Sequence, residues 1–232
     1  MSDPLLLLPA NLLRRYHDHK VNGLEHIPKK GGALVVVNHS LATYDLFMLG
    51  AAIYTERHRL VHALGHKWLF QIPGLRAVMR DAGAVPAAMD AGLKLLRDGH
   101  LLGIAPGGMR EALRSSEERY RLRWTDRKGF VRLAIRSQCP IVLAACPRAD
   151  EIFDVKTTVL TDVLYERFRL PFAFFKGIGP LPRPVPLTHT LRAPLTPPMA
   201  PKGAKAFEKL VDEWHAYVTE EMETLMDRAR RA

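Results

Sequence analysis

Short, uninterrupted apolar runs recur along this chain, each ended by polar or turn-forming residues. They are Ala33–Val37, Leu60–Leu64, Leu101–Ala105 and Ile141–Cys146. Runs of this length, rich in branched side chains, predict strands covered on both faces. The segments between them carry helical patterns. The alternation predicts an α/β fold with a central mixed sheet flanked by helices. Near the end of the chain, Phe207, Leu210, Val211, Trp214, Tyr217, Val218, Met222 and Leu225 recur with a helical period and predict a scaffold helix over 202–231. At the start, residues 1–20 hold Leu5–Leu8 and then Leu12-Leu-Arg-Arg15, an apolar and basic element. Such an element either lies in a membrane interface or covers the core. The proline-rich, charge-poor stretch 176–201 reads as irregular surface or as a strand with edge-type prolines, and no function is legible in it.

With 232 residues, 47% of them hydrophobic, the chain is long enough for a sizeable core, and no linker-like segment or repeat divides it. A single domain over 1–232 is expected. No run approaches the roughly 20 apolar residues that span a bilayer.

Two strand ends carry chemistry. The run Ala33–Val37 stops at Asn38-His39-Ser40, and Asp45 follows in the first turn of an apolar helix, with Thr43 as its expected N-cap. His39 and Asp45 are candidates for proton transfer, provided the chain bends between them. On a continuous helix they would face apart. The second corner is Leu101–Ala105 followed by Pro106-Gly-Gly-Met-Arg-Glu111. Gly107 and Gly108 let the backbone turn with its amides exposed, and Arg110 can grip an anion in a forked geometry. Glu111 would orient Arg110 or bind a hydroxyl.

These motifs resemble those of the glycerolipid acyltransferase superfamily, which carries His-x4-Asp after one strand and Pro-Glu-Gly-Thr-Arg after a later one. The resemblance runs from Val21–Pro28 through Asn38-His39, Gly83–Pro86 and Pro106–Glu111 to Arg127–Ala134 and Pro140–Leu143. The Pro-Gly-Gly-x-Arg-Glu wording is most similar to the diacylglycerol and monoacylglycerol acyltransferase branch. There are three departures. Five residues, Ser40 to Tyr44, separate the histidine and the aspartate. Gly107 stands where the motif has glutamate. Ala87 and Ala88 stand where phosphate-binding members carry arginine. The last departure favours an acceptor other than lysophosphatidate.

The resemblance implies an O-acyltransferase without metal or redox cofactor, using acyl-coenzyme A or an acyl carrier protein as co-substrate. His39 would be the general base and Asp45 its partner at the other ring nitrogen. Amides around Gly107 and Gly108 would stabilise the oxyanion, and Arg110 would meet phosphate. No Gly-x-Ser-x-Gly elbow is present, so attack by the acceptor is direct. A thioesterase, a non-catalytic lipid-binding protein and a nucleic-acid binder are the alternatives.

The net charge of +10 calls for an anionic partner. Arg110 to Arg136 holds nine basic residues against four acids. Few aromatics interleave with them, Tyr120 and Trp124 among the arginines, which disfavours nucleic acid and favours coenzyme phosphates or an anionic membrane surface. Arg114, Arg119, Arg121 and Arg123 read individually as a solvated face. Cys139 and Cys146 read as buried thiols in a reducing compartment. His58, His62 and His66 would share a face only on a helix, and Leu60–Leu64 fits a strand better, so no metal site is expected. The expected location is the cytoplasm, peripherally on the membrane.

Overall fold

The structure is a computed structural model describing residues 4–65, 83–158 and 173–231, together with Gln71, Arg76, Thr161 and Arg167. Residues 1–3 of the N-terminal element and His66 lie outside the described residues. Strands are β1 (Lys20–Asn22), β2 (Ala33–Val37), β3 (Val61–Gly65), β4 (Ala84–Pro86), β5 (Leu101–Ile104), β6 (Ile141–Ala145), β7 (Asp154–Lys156), β8 (Phe174–Lys176) and β9 (Thr188–Leu191). Helices are α1 (Pro4–Tyr16), α2 (Asp45–Arg57), α3 (Met89–Arg97), α4 (Gly108–Ala112), α5 (Gly129–Ser137) and α6 (Ala204–Arg231).

Seven strands form one sheet in the order β1-β9-β6-β2-β5-β3-β4, with β7 and β8 paired separately. From β6 to β4 all neighbours are parallel, and β9 runs antiparallel to β6. The sheet is therefore mixed.

The apolar run of β2 follows from its central place. Val35 and Val37 pack with Leu49 and Ile53 of α2 on one face. Leu34 and Val36 pack with residues of α3, α5 and α6 on the other, including Leu96, Phe130 and Trp214. Successive side chains point to opposite faces, so a strand buried on both has no polar positions.

The C-terminal helix is present, burying Val211, Trp214, Val218, Met222 and Leu225, while Tyr217 faces outward. The stretch 176–201 departs from expectation. It contains β9, which lies inside the sheet between β1 and β6. Its prolines cluster before and after that strand, at 180–186 and 194–201.

Candidate active site

The two chemical corners meet because their strands are neighbours. β2 and β5 are parallel and in register, Val36 opposite Ile104, so His39 and Pro106-Gly107-Gly108 leave the same carboxyl edge of the sheet. Ligand sites of open α/β sheets lie along that edge. Asn38 fixes the exit of β2 from the other side. Its amide donates to the Cys146 carbonyl (3.2 Å) and accepts from the Cys146 N–H (2.8 Å), pinning the end of β2 to the end of β6.

The corner between His39 and Asp45 bends as required. Thr43 sits at φ 41°, in the left-handed region that β-branched residues avoid, and Tyr44 N–H bonds back to the Ala42 carbonyl. Thr43 is not the N-cap. Tyr44 holds that position with no side-chain cap, and the Thr43 hydroxyl donates to the Leu41 carbonyl at 3.0 Å. The left-handed residue makes the turn, so its side chain is directed back into the loop rather than onto the helix.

His39 is 7% exposed. Burial, and then the Arg114 charge, lower its pKa to about 4, so the imidazole is neutral at pH 7. Its Nδ1 is sealed and makes no hydrogen bond, leaving Nε2 as the nitrogen that is not sealed. Asp45 is buried with both oxygens unbonded, so it makes no hydrogen bond to His39 in this conformation. Burial, and then the Asp150 charge, raise its pKa to about 7. The imidazole nearest Asp45 is that of His189, with Nε2 3.8 Å from Oδ2.

The diglycine corner is more specialised than its sequence suggests. Gly108 N–H is taken up by the Ala105 carbonyl (3.1 Å) and is not free for an oxyanion. Gly107 N–H has no backbone partner among the described residues. Gly107 has an ordinary helical φ of −64°, yet a Cβ there would lie 1.9 Å from Glu111 Oε2. The Glu111 side chain thus fills the space that a side chain at position 107 would need, which accounts physically for glycine in that place. Glu111 is fully buried, and burial raises its pKa to about 7. Arg110 is exposed and makes no ion pair among the described residues.

Arg114 is the residue that sequence reasoning missed. Rather than lying on a solvated face, it is 5% exposed. Its guanidinium donates to the carbonyls of His39 (3.0 Å) and Glu111 (3.2 Å), pairs with Asp150, and stands 3.5 Å from Glu111 Oε1. It ties both corners together. Four of the other eight basic residues of this region pair with acids, some distant in the chain: Arg119 with Asp154, Arg123 with Glu118, Lys128 with Asp212 and Arg132 with Glu208.

One metal-compatible grouping exists among the described residues: Asp45, Cys146 and His189, whose donor atoms lie within 4.8 Å of one another. His58 caps α2 and His62 lies in β3, bonded to the Gly83 carbonyl. Both cysteines are free and buried.

The acyltransferase family profile matches residues 18–146, just over half of the chain and inclusive of both corners. The chain belongs to the acyltransferase family. Among its relatives is the human "DGAT1/2-independent enzyme synthesizing storage lipids", 32% identical over 220 residues, covering 92% of this chain and 67% of that protein. The cattle protein of the same name is 32% identical, with 93% of this chain and 65% of that protein covered. The chain thus spans about two thirds of the length of these relatives. An uncharacterised protein of Mycobacterium tuberculosis is 34% identical over 171 residues, covering 72% of this chain and 47% of that one. The crystal structure of the 1-acyl-sn-glycerophosphate acyltransferase PlsC from Thermotoga maritima has the same fold. Its TM-score is 0.54 at 17% identity, with 96% of this chain and 84% of that one covered. The family profile and these relatives agree with the acyltransferase resemblance that the motifs carry.

Proposed function

We propose that this acyltransferase moves a fatty acyl group from acyl-coenzyme A or an acyl carrier protein to the hydroxyl of a glycerolipid or related lipid alcohol. The observation that carries the reading is the Arg114 bridge, which holds the His39 corner and the Gly107–Glu111 corner as one unit at a single sheet edge.

In this reading Nε2 of neutral His39 takes the acceptor's hydroxyl proton as the oxygen attacks the thioester carbonyl. A tetrahedral intermediate forms, and its collapse expels the thiolate, which takes up the proton. Gly107 N–H stabilises the oxyanion. Asp45 steadies the imidazolium when the carboxylate and the ring come together at Nδ1, the nitrogen that has no partner in the resting site. Exposed Arg110 meets phosphate on the donor or acceptor. The reaction needs no resident metal or redox group.

The substrates call for a membrane surface, and α1 supports peripheral attachment. Leu8 and Leu12 are more than half exposed, and Arg14 and Arg15 lie in the last turn. Apolar side chains beside basic ones suit an anionic interface. No helix among the described residues is long and apolar enough to cross a membrane.

The test uses labelled acyl-coenzyme A with monoacylglycerol, diacylglycerol, lysophosphatidate and a long-chain alcohol. Transfer to an alcohol supports the reading. Loss of thioester that no alcohol accelerates would make the protein a thioesterase, and activity retained without His39 would exclude this mechanism.

A further inference from the structure

Asp45 is buried with neither oxygen hydrogen-bonded, beside a histidine that no sequence motif marks. A row of side chains leads away from it. His189 on β9 faces Asp45 through Nε2 at 3.8 Å, just beyond hydrogen-bond reach, and that nitrogen is buried without another partner. Its Nδ1 lies 2.8 Å from Nε2 of His19, and Nδ1 of His19 lies 3.3 Å from Nε of Arg14 at the end of α1. His19 and His189 are both buried.

The direction of every proton in this row can be worked out from Arg14. A guanidinium only donates, so Nδ1 of His19 accepts. A neutral imidazole carries one proton. His19 is neutral at pH 7, because burial and then the Arg14 charge keep its pKa at about 4. Its proton therefore sits on Nε2 and is donated to Nδ1 of His189. His189 is also neutral, its pKa held well below 6.5 by burial and then by His19. Its own proton must sit on Nε2, directed toward Asp45. That N–H lies 3.8 Å from the carboxylate.

We propose that Arg14, His19 and His189 form a one-way hydrogen-bond relay whose last N–H is aimed at Asp45, with His189 as a positioning residue that closes onto the carboxylate and holds it in its anionic, proton-accepting form. The proposal rests on the reading of Asp45 as the acid of the active site. It also bears on the Asp45–Cys146–His189 grouping. A metal on Nε2 of His189 would move that proton to Nδ1, which would then oppose Nε2–H of His19. Turning His19 to accept would in turn point its Nδ1–H at the Arg14 donor. The relay and the metal exclude each other.

The other charged and titratable groups around these residues are Tyr44, Cys146 and Asp150 for Asp45, and His17 for His19. Their contributions are common to the parent protein and the variants below, so comparison between variants isolates the relay.

The test uses the purified full chain. Nitrogen-15 histidine spectra at pH 7 report tautomers without substrate, and the expected result is Nε2–H at both His19 and His189. Arg14→Gln, on a half-exposed helix position and so compatible with folding, should mix the tautomers. Arg15→Gln, the same charge change one residue on, should leave them unaltered. In carbon-13 titrations of the aspartates, His189→Phe should raise the Asp45 pKa by about one unit through loss of a donor to the anion. His189→Gln, which keeps an N–H, should shift it less. In acyl transfer, His189→Phe should lower kcat about 10-fold or more with KM within about 2-fold, and His189→Gln should recover most of the rate.

An Nδ1–H tautomer at His189, stoichiometric metal in the purified protein, or an Asp45 titration unaltered by His189→Phe would overturn the relay. Absence of acyl transfer by the parent protein would sink the proposed function instead. The tautomers and the Asp45 titration would still decide the relay.

Discussion

Replacing Arg114 by methionine removes the charge that joins the two corners while keeping most of the side-chain volume. In the parent protein the guanidinium is 3% exposed, Asp150 5% and Glu111 fully buried, so solvent cannot take over the lost interactions. Breaking a buried ion pair by deleting one partner costs about 3–5 kcal/mol, because the remaining charge stays desolvated. The carbonyls of His39 and Glu111 also lose a donor, for about 1 kcal/mol more. Against a typical total of about 5–15 kcal/mol, the variant should be severely destabilised. Urea denaturation followed by circular dichroism measures the change. Adding Asp150→Leu to Arg114→Met should restore about 1–3 kcal/mol, since the buried carboxylate, left with the Tyr120 N–H in place of a cation, is then gone. A loss below about 1 kcal/mol for the single variant, or strictly additive effects in the double, would refute this account of Arg114.

Gly107→Ala should cost about 1–3 kcal/mol by pushing the new methyl into Glu111, and Glu111→Ala in the same chain should relieve that clash, as read by the same denaturation. Thr43→Asn should stabilise the fold by about 0.5–1 kcal/mol, because asparagine tolerates a φ of 41° better than a β-branched residue. His39 and Asp45 should shape the pH dependence of stability with opposite signs. The unfolded chain protonates His39 below about 6.5 while the folded chain resists until about 4, so this contribution is intact above 6.5 and is lost as pH falls. His39→Gln should therefore flatten the acid limb of the stability curve. Folded Asp45 keeps its proton up to about 7 where the unfolded chain releases it near 3.8, so ionising it costs stability as pH rises toward neutrality. Asp45→Asn should gain about 1 kcal/mol or more at pH 8 while impairing acyl transfer.

The parts of the fold that were legible in the sequence are those in which local pattern and global position agree. Strands β2, β5 and β6 are continuous apolar runs because both sheet faces are covered, and α6 shows its period because one face packs inward. Strand β9 was obscured because three of the four residues of Thr188-His-Thr-Leu191 are polar and the strand lies between proline clusters, which resembles surface. Within the site, His39, Asp45 and the glycines were visible as motifs at strand ends. Arg114 was not, because its acid, Asp150, lies 36 residues away and a basic window looks solvated when its partners are elsewhere. His19 and His189 are 170 residues apart, and only the placement of β9 beside β1 brings them together. The Gly107–Glu111 exchange was half legible: the missing glutamate showed in the motif, but the occupied space did not.

The most direct measurement is the rate of acyl transfer from labelled acyl-coenzyme A to lipid alcohols by the parent protein and by His39→Ala, with folding of both verified by circular dichroism. A general base contributes about 100- to 10,000-fold. The account predicts transfer by the parent and a loss of that size in the variant. A His39→Ala protein that transfers acyl groups as fast as the parent would contradict it.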